Sequence, residues 1–205
     1  MFPVGCLVFK GDPSAPNPAL FEQMRNEADS LRGQGMIYQF WGRGAEKPYP
    51  FHWYLIWESD SRSAESLRPI LSSLANRLQD LGVSHGAVDT FPVLMKTSPV
   101  PALRAPTTVN VIFMASVENA DVARDAMDRS CARQDELAPP GFSCWAISTN
   151  MGGQRGLYVG GWESIENGAL KERSIIMLGL RTRVKKATLL EKRPRTPTFQ
   201  EHVRE

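Results

Sequence analysis

Apolar and polar positions along the chain fall into one succession of periods that is run through twice. Residues 4–9 form a short apolar run, closed by Gly11-Asp12-Pro13, where proline has no N–H to give to a ladder. Leu20, Phe21, Met24, Ala28 and Leu31 then recur at helical spacing, and Gly33 and Gly35 end that segment. Two aromatic-rich runs, 36–41 and 52–57, are separated by Gly42-Arg43-Gly44 and by Pro48 and Pro50, the composition of a long hairpin loop. Leu67, Ile70, Leu71, Leu74, Leu78 and Leu81 make one apolar stripe, which predicts a helix of about five turns ended by Gly82. A strand at 88–95, interrupted at Pro92, completes the order βαββαβ.

The second half repeats the plan. Trp57-Glu58-Ser59 returns as Trp162-Glu163-Ser164, and 162 − 57 gives a spacing of 105 residues. The same spacing carries Val4, Leu7 and Phe9 onto Val109, Ile112 and Met114. The predicted elements are a strand at 109–115, a helix from 120 to about 137, a hairpin of 142–148 with 156–162, a shorter helix carrying Gly179, and a strand at 187–191. Pro139-Pro140-Gly141 and Met151-Gly152-Gly153 supply the turns.

Pro99, Pro101 and Pro106 predict a stiff, extended linker between the halves. The expected boundaries are a first repeat at 1–96, a Pro-rich linker at 97–107, a second repeat at 108–195 and a polar tail at 196–205. That tail is expected to be mobile, or draped over the surface through Phe199. A four-stranded sheet with both helices on one face leaves its other face apolar, so such a unit pairs sheet to sheet with a partner. The expected fold class is therefore α+β: two fused ferredoxin-like βαββαβ repeats forming an intramolecular dimeric α/β barrel. A monomer is the simplest expectation for it, with a weak homodimer through the outer helices as the alternative.

Composition narrows the partners. With 42% hydrophobic and 22% charged residues over 205 positions, the chain reads as soluble and globular. Its 24 Lys and Arg against 22 Asp and Glu leave a net charge of +2, and the basic stretch at 181–195 reads as a solvated helix end and tail, so nucleic acid is not an expected partner. Cys6, Cys131 and Cys144 make no disulfide framework and fit a reducing compartment. With no basic leader at the start and no apolar run of ~20 residues, membrane association is not expected and the location is expected to be cytoplasmic.

The aromatic third strand ending in Trp-x-Ser, each copy followed by a helix, resembles the dimeric α/β-barrel superfamily and within it the antibiotic-biosynthesis-monooxygenase-like group. The resemblance covers nearly the whole chain except the linker and the tail. Members of that superfamily include cofactor-independent oxygenases of aromatic polyketides, polyketide cyclases and heme-degrading oxygenases. The oxygenases carry an Asn four residues before the strand Trp, where this chain has Trp53 and Tyr158.

Cofactor motifs are missing: there is no GxGxxG after a strand, no phosphate loop and no GxSxG elbow. Gly152-Gly153-Gln154-Arg155-Gly156 joins two strands and reads as a turn. The three histidines have no metal-ligand spacing, and the amphipathic helices offer no axial histidine for heme, so neither metal nor cofactor is expected.

What remains is an asymmetry between the copies. Along the third strand Trp53, Leu55 and Trp57 share one face, and their counterparts are Tyr158, Gly160 and Trp162; His52 and Tyr54 share the other, where the second copy has Leu157 and Val159. If that face lines a pocket between sheet and helices, His52 and Tyr54 can move a proton on an enolisable or phenolic substrate, and Tyr38 can add a hydroxyl. Trp53, Trp57, Arg43 and His85 are candidate substrate contacts, Arg43 from the hairpin loop and His85 beyond a helix end. The plainer reading puts His52 at a solvent edge, Tyr54 in an ordinary core and the tryptophans in packing. The expected function is that of a cofactor-independent enzyme of secondary metabolism that oxygenates an aromatic or polyketide-like small molecule. The alternatives are cyclisation, isomerisation or another rearrangement in the same pocket, and a ligand-binding barrel without turnover.

Overall fold

The computed structural model describes residues 1–10, 17–44, 50–84, 86–115, 120–136, 139, 141–150, 153–164 and 197–201. The chain divides into two compact units, one made of Met1–Leu94 with Thr198–Glu205 and the other of Met95–Pro197.

The first unit runs β1 (Phe2–Lys10), α1 (Pro18–Ala28), β2 (Met36–Gly44), β3 (Pro50–Trp57), α2 (Ala64–Arg77) and β4 (Val88–Met95). Local chemistry sets the helix ends. The Asn17 side chain caps α1 by accepting from the Leu20 N–H at 3.0 Å, and Pro18 follows at the first turn, where a missing N–H does no harm. Ser63 caps α2 in the same way, accepting from the Ser66 N–H at 3.3 Å. Both helices tighten into 3₁₀ turns, Asp29–Gln34 and Leu78–Leu81, which stop at Gly35 and Gly82 with φ of 85° and 78°.

The sheet order is β4-β1-β3-β2, with β3 antiparallel to both neighbours, the ferredoxin-like arrangement that the repeat predicts. Leu67, Leu71, Leu74, Leu78 and Leu81 of the predicted stripe pack with Phe21, Met24 and Ala28 of α1 onto Leu7, Phe9, Phe51, Trp53, Leu55 and Trp57. Gly5 lets α2 approach closely, since a Cβ there would stand 2.7 Å from a methyl of Leu71. The tail departs from expectation: Pro197–Glu201 is a strand, β8, added to the edge of the sheet beside β2. An unpaired strand edge offers N–H and C=O groups to any extended segment, which the polar composition of the tail did not reveal.

The second unit contains α3 (Val100–Arg104), β5 (Thr107–Ala115), α4 (Ala120–Asp135), β6 (Ser143–Asn150) and β7 (Gly153–Trp162), with sheet order β5-β7-β6. Of these, β5, α4, β6 and β7 are the counterparts of β1, α1, β2 and β3. The predicted second helix and the strand at 187–191 lie outside the described residues, and among the described residues no strand of one sheet joins the other.

Two sequence expectations need correction here. The segment around the prolines is not extended: Pro99 and Pro101 sit at the start of α3, whose Val100, Ala102 and Leu103 are buried. The first strand is also shifted by one residue relative to the spacing of 105. Leu7 lies across from Trp53 and Val111 across from Tyr158, so Leu7 matches Val111 and Phe9 matches Phe113. A slip of one residue exchanges the faces of a strand, and the helix side of β5 carries Val111 and Phe113 rather than Ile112.

Among the described residues no helix is long and apolar enough to cross a membrane. Gly161 of β7 tests the position of α3, because a Cβ there would stand 2.8 Å from Cβ of Ala105 and 2.9 Å from Cα of Ala102. Gly161→Val is expected to destabilise the protein by about 1–3 kcal/mol in urea denaturation; an unchanged midpoint would contradict the packing of α3 on β7.

Candidate functional site

β3 divides the chemistry of the first unit between its two faces. Phe51, Trp53, Leu55 and Trp57 point toward α1 and α2 and are part of a filled apolar layer. His52, Tyr54 and Ile56 alternate with them and point the other way. Register adds their neighbours: Val8 and Gly42 lie across from His52, Cys6 and Phe40 across from Tyr54, and Val4 and Tyr38 across from Ile56.

The expected pocket between sheet and helices is therefore occupied by core side chains, and His52 and Tyr54 are on the opposite face. Neither is at a solvent edge, since each is fully buried. Their rings are close to parallel, with centroids 6.4 Å apart and planes at 6°. The β2 residue across from His52 is Gly42, which places no side chain beside the imidazole. Tyr38 is half-buried, its ring 6.1 Å from Phe40, and stands diagonally from Tyr54 across the strand pair, a relation that puts backbones about 7–8 Å apart.

Two further polar groups share this face. Cys6 lies directly across from Tyr54 and is hydrogen-bonded to it. Burial drives the Cys6 thiol far up from its ordinary value, the Tyr54 hydrogen bond acts against that shift, and the charge of Asp89 adds to it. Because Val88 packs with the helix-side layer, alternation along β4 places Asp89 on the Cys6 side. By residue type alone, Cys6 is one more small side chain in an apolar strand. The signal that finds it is the alternation of Val4, Cys6 and Val8 along β1.

The proposed substrate contacts do not join this group. Trp53 donates its Nε1–H to Oε1 of Gln39 at 3.1 Å, and Gln39 in turn donates to Asp29 Oδ1 at 2.6 Å and to the Arg25 carbonyl at 3.0 Å. Asp29 also pairs with Arg32 at 3.1 Å. This buried network ties sheet to helix, so Trp53 is a structural residue. Trp57 is fully buried in the same layer. Arg43 is exposed near the end of β2 and lies across from Phe51, on the helix side, separated by the sheet from His52. His85 lies outside the described residues.

The second unit keeps the structural half of this pattern and lacks the histidine and the tyrosine of the other half. Tyr158, the counterpart of Trp53, donates to Oε1 of buried Gln134, whose Nε2 donates to the carbonyls of Phe142 at 3.1 Å and Gly161 at 3.0 Å. Trp162 is buried like Trp57, and among the described residues neither indole N–H has a partner. On the other face Leu157 and Val159 replace His52 and Tyr54, and Asn110 stands across from Val159 where Cys6 stands across from Tyr54. Among the described residues no three His, Cys, Asp or Glu side chains are placed to hold a metal ion.

No family model and no curated protein matches the sequence. Among solved structures, an anthrone oxidase-like protein superposes with a TM-score of 0.58 at 15% identity, over 98% of this chain and 92% of that one. The chain shares its fold. A protein of Lactobacillus acidophilus NCFM with a provisional monooxygenase name gives a TM-score of 0.53 at 11% identity, over 98% and 96% of the two chains. A mutant chlorite dismutase from Candidatus Nitrospira defluvii gives 0.55 at 10% identity, over 97% and 91%. At such identities the likeness is one of fold, and different chemistries share it.

The thiols give a direct test of burial. Burial raises Cys131 to about 11, a hydrogen bond with Ser143 opposing the rise and Asp135 and Asp128 adding to it. Cys144 is raised well above 9.0, mainly by burial. Since the thiolate is the reactive form, roughly one part in a thousand of Cys131 is reactive at pH 8. Native protein at pH 8 is expected to react slowly with Ellman's reagent, faster as pH rises toward 11, and to release all three thiols on unfolding. A thiol that reacts at the rate of a free cysteine in native protein would contradict this. Because the folded value of Cys131 exceeds the ordinary one, its contribution to stability is present below pH 9 and is lost as pH rises through about 11.

Proposed function

We propose that the first unit is a cofactor-independent oxygenase of an electron-rich, enolisable aromatic or polyketide-like small molecule, acting on the face of β3 that carries His52 and Tyr54. The observation that carries this reading is the fully buried His52–Tyr54 pair, with rings 6.4 Å apart at positions that hold Leu157 and Val159 in the second unit. The fold shared with an anthrone oxidase-like protein supports the class of substrate.

The chemistry asked of the protein is modest. His52 removes a proton from an acidic carbon, and the Tyr54 hydroxyl donates to the oxygen on which the negative charge collects. The delocalised anion itself supplies the electrons to dioxygen. For an anthrone-type methylene the balance is CH₂ + O₂ → C=O + H₂O, with one oxygen atom entering the product and the other leaving as water. Exclusion of bulk water around two buried polar groups strengthens each of these interactions. Tyr38, half-buried on the same face, is the candidate for a further hydroxyl near the substrate. Trp53, Trp57 and Arg43, on the far side of the sheet, have no place in this step.

The test is oxygen uptake with anthrone as probe. Wild type is expected to consume one equivalent, with His52→Ala slower by about 100-fold or more and Tyr54→Phe slower by roughly 100-fold. Conversion without oxygen uptake would contradict oxygenation and favour rearrangement. Equal rates in wild type and His52→Ala would contradict the site.

A further inference from the structure

Tyr54 has a donor hydroxyl and a fixed partner. Cys6 lies directly across from it on β1 and is hydrogen-bonded to it, and both side chains are fully buried. The sulfur is itself oriented, because Cys6 Sγ donates toward the carbonyl of Leu7 at 3.9 Å. With the S–H directed there, the sulfur lone pairs are left to accept from the Tyr54 O–H. A neutral thiol is a weak acceptor. An oxyanion is a far stronger one, since a hydrogen bond to a charged partner is roughly twice as strong as one between neutral groups.

We infer that Cys6 is the positioning residue for Tyr54: its sulfur holds the phenol hydroxyl beside His52 in the resting protein and gives it up when a substrate oxygen becomes negatively charged. This deepens the proposed oxygenase reading and rests on it. Burial keeps the thiol un-ionised, so the sulfur neither competes for the hydroxyl as a thiolate nor attacks a substrate.

The experiment compares wild type, Cys6→Ala and Cys6→Ser by two readouts. One is the hydrogen-bond state of the Tyr54 phenol in ligand-free protein, taken as the ultraviolet resonance Raman difference between each chain and the same chain carrying Tyr54→Phe. The other is kcat and KM for oxygen uptake with anthrone. Cys6→Ala is expected to shift the phenol's hydrogen-bond signature and to lower kcat by about 3- to 10-fold with KM unchanged. Cys6→Ser, which keeps a small hydrogen-bonding group in place, is expected to restore both. A phenol signature unchanged in Cys6→Ala overturns the inference, and so does a changed signature with kcat unaltered. If wild type consumes no oxygen, the oxygenase reading fails by itself, and the phenol signature alone then decides whether Cys6 holds Tyr54.

Discussion

The burial of Phe51, Trp53, Leu55 and Trp57 against α1 and α2 is the constraint on which the first unit depends. Side chains of a strand alternate between faces with a period of two, so fixing this row against the helices fixes the other row too. A shift of one residue in β3 would turn Trp53 and Trp57 out of the layer and bring His52 and Tyr54 into it. Four large apolar side chains, each stabilising by about 1.5–3 kcal/mol when buried, resist that slip. The bond from Trp53 to Gln39 and on to Asp29 adds a directional lock that only one register satisfies. The position of the polar pair is a consequence of packing on the opposite side.

The two units show which parts of this plan are structural. Both place a large aromatic residue, Trp53 or Tyr158, in hydrogen-bond contact with a buried glutamine, although Gln39 comes from β2 and Gln134 from α4. Both bury the tryptophan of the Trp-Glu-Ser motif. What differs is the face away from the helices, with His52, Tyr54 and Cys6 in one unit and Leu157, Val159 and Asn110 in the other. The scaffold is repeated, while the His52–Tyr54 pair occurs in the first unit alone, its positions in the second being taken by Leu157 and Val159.

The order of elements was legible because helical and strand periods differ and because Trp57-Glu58-Ser59 returns intact as Trp162-Glu163-Ser164. The register of β5 was not, since a constant spacing assumes that no residue is gained or lost between strands, whereas Val111 and not Ile112 faces Tyr158. Pro99 and Pro101 were ambiguous because proline suits both an extended linker and the first turn of a helix, and the burial of Val100 and Leu103 selects the helix. At the site, alternation separated His52 and Tyr54 from Trp53 and Trp57 correctly. It could not say which row the helices cover, and that is why Trp53 and Trp57 were joined to the wrong group. Cys6 was hidden by composition, for a cysteine among valines reads as apolar until its neighbour across the ladder is known to be Tyr54.

The central claim is that ligand chemistry belongs to the His52 face of β3 and that the Trp53 face is core. Nuclear magnetic resonance of protein labelled with ¹⁵N at histidine and at the tryptophan indoles, titrated with anthraquinone as an unreactive planar aromatic ligand, tests it most directly. The account predicts a saturable shift of the His52 imidazole signals, with the Trp53 and Trp57 indole signals left in place. Shifts of those indoles with His52 unmoved, or no change at His52 at saturating ligand, would contradict it.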